Sequence, residues 1–233
     1  QLQTQQNRLD NGTQPFVNAY NQLINDADNA LNANLESVTD DDGQHYFYAG
    51  GDRNRHDYRA AIRMKDYARD CALAYWFTGD DAYAQRVADV IYHWCLDPAT
   101  AMDATVDEVS NGISIEQNIT IPGFMYAASF IRGHSAWEGN EASFKTWVAD
   151  RMDTFPANEA NFHQFNNQWA WWIVDYAVSA AYLEDDTEME RVKRLYRATD
   201  AWTTVDMDGD GIRDRDSERP WTDYRDVNSA EGY

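Results

Sequence analysis

The sequence predicts an all-α protein built from stacked helical hairpins. Three observations carry this expectation. Apolar residues recur at helical spacing over most of the 233 residues. No run shows the alternation of a strand or the turn chemistry of a β-hairpin. The helical stretches are short and are joined in pairs by turns marked with Gly, Asp and Pro.

Taken in order, residues 15–36 carry Phe16, Ala19, Tyr20, Leu23, Ile24, Ala27 and Leu31 in an i, i+3, i+4 stripe. Residues 37–57 are polar, with DDDG and GGDRNRH, and predict a long loop. A helix over 58–78 follows, through Ala60, Ile62, Tyr67, Ala72, Leu73 and Trp76. Gly79 stops it, and Asp80 or Asp81 caps the next, which reaches about Trp94 and ends at DPAT, 97–100. Residues 98–111 predict a loop. Pro122 suits the first turn of a helix running to Ile131. Helices at about 139–152, 168–183 and 187–202 complete the set. The domain expectation is one helical domain over 1–205, then an Asp-rich loop and tail over 206–233.

Helix 168–183 is apolar on two sides. Trp169, Trp172, Ile173, Tyr176 and Ala180 form one, and Trp171, Val174, Val178 and Tyr182 the other. A helix apolar all round is a buried one. In a ring of hairpins it is an inner helix whose N-terminus, FNNQ, opens onto a central cleft.

Composition narrows the partners. The net charge is −21, from 19 basic and 40 acidic residues, which excludes free nucleic acid as the expected partner. Only Lys65, Lys145 and Lys193 are lysines; the other 16 basic residues are arginines. Acidic excess with few lysines fits a high-salt environment, where a Debye length of roughly 3 Å at 1 M screens self-repulsion. The plainer alternative is an acidic protein kept soluble by its charge. Aromatics at 14% suit packed walls or a sugar-binding surface. No window is apolar enough to span a membrane. The chain begins QLQTQQNRLD, without Met or an apolar leader, and reads as a mature or trimmed chain from which any export signal is gone. Cys71 and Cys95 give no disulfide framework; placed on successive helices and too far apart to bridge, they are expected as buried free thiols. Asn11 (NGT) and Asn118 (NIT) begin glycosylation sequons.

Four stretches carry candidate chemistry. Asn166, Asn167 and Gln168 stand at a helix start, where one amide suffices for a cap and three make a set of neutral donors. GGDRNRHDYRAAIR, 50–63, places Arg53, Arg55, His56, Tyr58, Arg59 and Arg63 together. This is either a local basic patch for an anionic substrate or a set of ion pairs with Asp52, Asp57 and Asp66. DMDGDGIRDRD sets Asp206, Asp208, Asp210, Asp214 and Asp216 at the alternating spacing of a calcium loop, with Ser217 where an EF-hand has Glu. It reads equally as a hydrated acidic loop of a halophilic chain. The tail SERPWTDYRDVNSAEGY holds Arg219 and Tyr224. No Ser-His-Asp arrangement, phosphate loop or zinc spacing stands out.

Several of these stretches together resemble the alginate lyase superfamily. LAYWFTGDDAYAQRVADVIYHWCLDPATAMD, 73–103, is similar to its LALAYYLTGDxxYA…WFLDPxTxMN segment. NGISIEQNITIPGFMYAASFI, 111–131, resembles the next helical segment. HQFNNQWAWW sits where those enzymes carry Asn-Asn-His-x-x-Trp, and GGDRNRHDY resembles their GDxHDY loop. The resemblance covers most of residues 8–200.

The resemblance implies an (α/α) toroid, incomplete over this length, and β-elimination of a uronate polysaccharide. Abstraction of the C5 proton beside a carboxylate builds an enolate-like dianion, which neutral or cationic donors must offset. It implies that Asn167 binds the carboxylate, with Gln168 at the position of the active-site His. Tyr224 with Arg219 matches the Arg…His-Tyr segment, although Asp223 stands where that His would be. Gln donates but accepts no proton, so Tyr224 would be both base and acid, which fits syn elimination. His163, one turn earlier, is the alternative proton carrier. Arg53, Arg55, His56, Tyr58, His163, Asn166, Trp169 and Trp171 are the expected substrate contacts. No cofactor is required, with a structural calcium as an option at the Asp loop. Family members continue in further helices, so a further domain or an assembly partner at the C-terminus is expected to complete the ring.

Two other functions fit parts of the sequence. A lyase-like module of a cell surface or virion that binds polysaccharide without turnover accounts for the missing His. An (α/α) glycoside hydrolase would need an acidic pair in the cleft.

Overall fold

The computed structural model describes residues 2–47, 55–105, 114–158 and 167–197. Among these residues the chain is helical and forms no strand. The helices are α1 (Leu2–Asp10), α2 (Phe16–Asn32), α3 (His56–Thr78), α4 (Asp81–Ile91), α5 (Ser114–Phe130), α6 (Ser135–Glu138), α7 (Glu141–Asn158), α8 (Asn167–Leu183) and α9 (Asp186–Arg197), with a π-helical turn over Tyr92–Leu96. The first helix was not expected; its LQTQQNRLD carries too few apolar residues to show a periodic stripe.

The chain divides into two compact units, Gln1–Ala104 with Gly123–Trp147, and Thr105–Pro122 with Val148–Tyr233. The boundary expected at 205–206 lies outside the described residues.

In the first unit, α2, α3 and α4 pack through small residues. Ala27 and Ala30 of α2, Ala60, Ala61, Ala68 and Ala72 of α3, and Ala84 and Ala88 of α4 are all buried, so the backbones approach closely. The α3–α4 turn is built from local chemistry. Gly79 takes φ 69, and its N–H donates to the Tyr75 carbonyl. Asp80 then caps α4 by accepting from the Ala82 N–H at 2.9 Å. Between α2 and its neighbours, the Tyr83 hydroxyl donates to Asp28 at 2.7 Å and Arg86 donates to the Ala33 carbonyl. Beyond α4 the Trp94 ring stacks on Phe124, with centroids 5.8 Å apart.

Pro122 does not open a helix. It lies inside α5, which begins at Ser114. An interior proline forfeits one backbone bond and costs about 3 kcal/mol. Burial of Ile121, Phe124 and Met125 on either side offsets that cost. Gly123 follows because a Cβ there would stand 2.1 Å from Lys65 Cγ, so the lysine stem of α3 lies directly on the α5 backbone.

The second unit has an aromatic core. Met152 and Phe155 of α7, Trp169, Trp172, Ile173, Tyr176 and Ala180 of α8, and Val192 and Leu195 of α9 form one buried cluster. Phe155 stacks on Tyr176 with centroids 4.9 Å apart, and Trp169 stacks on Trp172 at 4.8 Å. The α8–α9 turn places Glu184 in the left-handed region at φ 60. Asp185 accepts from the Glu188 N–H at 3.0 Å and so caps α9.

α8 is not buried all round. Trp172, Ile173, Tyr176 and Tyr182 are inside, but Trp171 and Val174 are 38% and 39% exposed. The sequence shows two apolar faces; packing covers the Trp172 face, and of the other it buries Tyr182 but leaves Trp171 and Val174 exposed.

Candidate functional site

Asn167 and Gln168 are the first two residues of α8. The backbone N–H groups of a first helical turn have no carbonyl within the helix, and the helix dipole adds partial positive charge there. No acidic residue occupies that turn, so no carboxylate of α8 competes with an anionic group arriving at it. The two tryptophans expected to contact substrate part company. Trp169 is 1% exposed and belongs to the core, whereas Trp171 offers its ring to solvent.

The second group lies at the start of α3, in the first unit. Arg55 takes φ 50 and immediately precedes the helix. That left-handed residue turns the chain, and its guanidinium sits over the Tyr58 ring at 4.3 Å. His56 and Arg59 are exposed, and Tyr58 is half-buried. Arg63 does not join them. It forms a two-pronged pair with Glu36, which raises its pKa chiefly through that hydrogen bond. Asp66 pairs with Arg69 at 2.8 Å and Lys65 at 3.3 Å. Asp57, one of the expected ion-pair partners, is buried at 1% exposure.

A third group escaped the sequence reading. Arg151 of α7 is 1% exposed, and its guanidinium lies 3.2 Å from Asp175 Oδ2 of α8. It also donates to Asn118 Oδ1 at 2.8 Å and to Gln117 Oε1 at 3.4 Å, both on α5. The Phe155 ring lies under the guanidinium at 5.3 Å. One signal was available: Asp175 is the only charged residue in NQWAWWIVDYAVSAAYL. Burial closes a sequon, because Asn118 is fully buried, while Asn11 stands exposed after α1.

Arg53, His163, Asn166, Arg219, Tyr224 and the aspartates 206, 208, 210, 214 and 216 lie outside the described residues. Among the described residues, no group of three or more His, Cys, Asp or Glu side chains is arranged to hold a metal. No helix there is long and apolar enough to cross a membrane. Cys71 and Cys95 are buried and free, as expected. Burial raises both thiols, that of Cys71 to about 12.

Comparison with known proteins places this architecture. Among solved structures, an alginate lyase from Bacteroides ovatus superposes with a TM-score of 0.70 at 18% identity, covering 84% of this chain. The chain spans 63% of the length of that protein. At this identity the likeness carries the fold, an all-α arrangement of helical hairpins in the (α/α) class expected from the sequence. No curated protein sequence matches the chain. The family profile described as alginate lyase matches residues 8–224, from α1 through the segment that holds Arg219 and Tyr224. With a match of that extent over an all-helical fold, the chain belongs to the alginate lyase family.

Proposed function

We propose that this protein is a polysaccharide lyase that cleaves a uronate polymer, alginate or a related one, by β-elimination. The observation that carries the reading is Asn167 and Gln168 at the acid-free N-terminus of α8. Amides and first-turn N–H groups suit a substrate carboxylate whose charge grows as the C5 proton leaves. In this reading Asn167 and Gln168 donate to the carboxylate, and Arg219 adds positive charge. Tyr224 takes the C5 proton and returns it to the leaving oxygen. Trp171, exposed on the same helix, contacts the sugar chain. The acidic, lysine-poor composition supports a saline working environment.

Incubation with polymannuronate, polyguluronate and other polyuronates, followed by the absorbance of the unsaturated product, tests the reading. Absence of unsaturated ends with every polymer would reject it.

One observation favours a second reading. Gln168 stands where the family's His is expected and cannot accept a proton. A module that binds polysaccharide without turnover would show affinity unchanged by Tyr224→Phe and form no product.

A further inference from the structure

We propose that Arg151 is a positioning residue, acting through Asp175 to hold the helix that carries Asn167 and Gln168. The inference rests on the lyase reading. Within the second unit the guanidinium from α7 meets two other helical segments: Asp175 of α8 on one side, Asn118 and Gln117 at the start of α5 on the other. Asp175 lies one heptad after position 168 and eight residues after position 167, on one unbroken helix. At 1.5 Å per residue the carboxylate stands roughly 10–12 Å along the axis from those positions. The bonds to Arg151 are directional, so sliding or rotating α8 breaks a contact to a fully buried carboxylate.

Elimination makes a narrow geometric demand on those amides. A donor must meet the carboxylate oxygen within about 2.7–3.1 Å as charge develops, and a misplacement of about 1 Å costs about 100-fold in rate.

Stability alone does not account for the network. Both amides turn their oxygens to Arg151. Gln117 Nε2 and Asn118 Nδ2 are left buried without an acceptor among the described residues. A half-satisfied polar cluster binds helices together less well than apolar packing, and an apolar pair of similar volume commonly replaces a buried ion pair without loss. Beside it Phe155, Trp172 and Tyr176 already supply that packing. What the guanidinium adds is a fixed register.

The test is the double variant Arg151→Met/Asp175→Leu, assayed on a polyuronate that the wild type cleaves. The expected result is a cooperative melt, KM within threefold of wild type and kcat at least tenfold lower. Asn118→Leu, which leaves the ion pair in place, is read by the same criteria and decides the matter if the double variant does not fold. A folded variant that keeps wild-type kcat, or changes KM alone, overturns the inference and leaves the lyase reading standing. A wild type that yields no unsaturated ends with any polyuronate overturns both.

Discussion

Trp171 and Trp172 are neighbours in sequence and opposites in environment. The Trp172 ring is 1% exposed and packs edge-on against Phe155 at 5.8 Å, while Trp171 is 38% exposed on the other side of α8. The two positions separate stability from recognition. Trp172→Ala is expected to cost about 3–5 kcal/mol of stability, as removal of a large buried ring does. Trp171→Ala should leave the melting temperature within a few degrees. It should raise KM for a polyuronate roughly 3- to 10-fold, the scale of one aromatic contact. Denaturant melts and initial rates on both variants check this pair; an unaltered KM in Trp171→Ala removes that ring from the substrate path.

Position 168 offers a gain-of-function test. Gln168→His would put a group titrating near pH 6.5 at the head of α8. The pH profile of kcat/KM is then expected to acquire a limb near that value, which the wild type lacks. Asn167→Ala is expected to lower kcat by about 100- to 1000-fold, the usual cost of one donor to a developing oxyanion. An identical pH profile in wild type and Gln168→His would put that side chain away from the reacting atoms.

The thiols make a prediction about pH. Cys71 is raised from 9.0 to about 12, chiefly by burial. A group whose folded pKa is raised adds stability that is complete below the unfolded value and is lost as pH climbs to the folded one. Stability should therefore fall between pH 9.0 and about 12 with a Cys71 contribution of about 1.4 kcal/mol per unit. The slope in that window should flatten in Cys71→Ala, whatever the variant's absolute stability. Neither thiol should react with a disulfide reagent at pH 8 until the chain unfolds.

Charge predicts a salt dependence. With 40 acidic against 19 basic residues, the melting temperature is expected to rise steadily as sodium chloride goes from 0.1 to about 2 M. An equal melting temperature in dilute buffer would refute salt adaptation. At constant ionic strength, millimolar calcium should add a further rise if Asp206, Asp208, Asp210, Asp214 and Asp216 hold the ion, and Asp208→Asn/Asp210→Asn should abolish that increment.

What the sequence determined by itself was local. The positions of α2, α3, α4, α8 and α9 follow from apolar spacing, the α3 stop from Gly79, the α4 start from Asp80, and the α8 start from the amide run, because each depends on residues within a turn or two. The order of the motifs was enough to reach the family. Tertiary structure decided what contact at a distance decides. It carried α5 through Pro122, because burial on both flanks outweighs one lost backbone bond. It gave Arg63 to Glu36, 27 residues away, in place of the nearby aspartates. It also left Trp171 and Val174 of α8 exposed while covering Trp172 and Ile173, and it set the buried Arg151 between Asp175 and Asn118. Those pairings depend on which helices end up side by side, and apolar spacing within one helix carries no information about its neighbours.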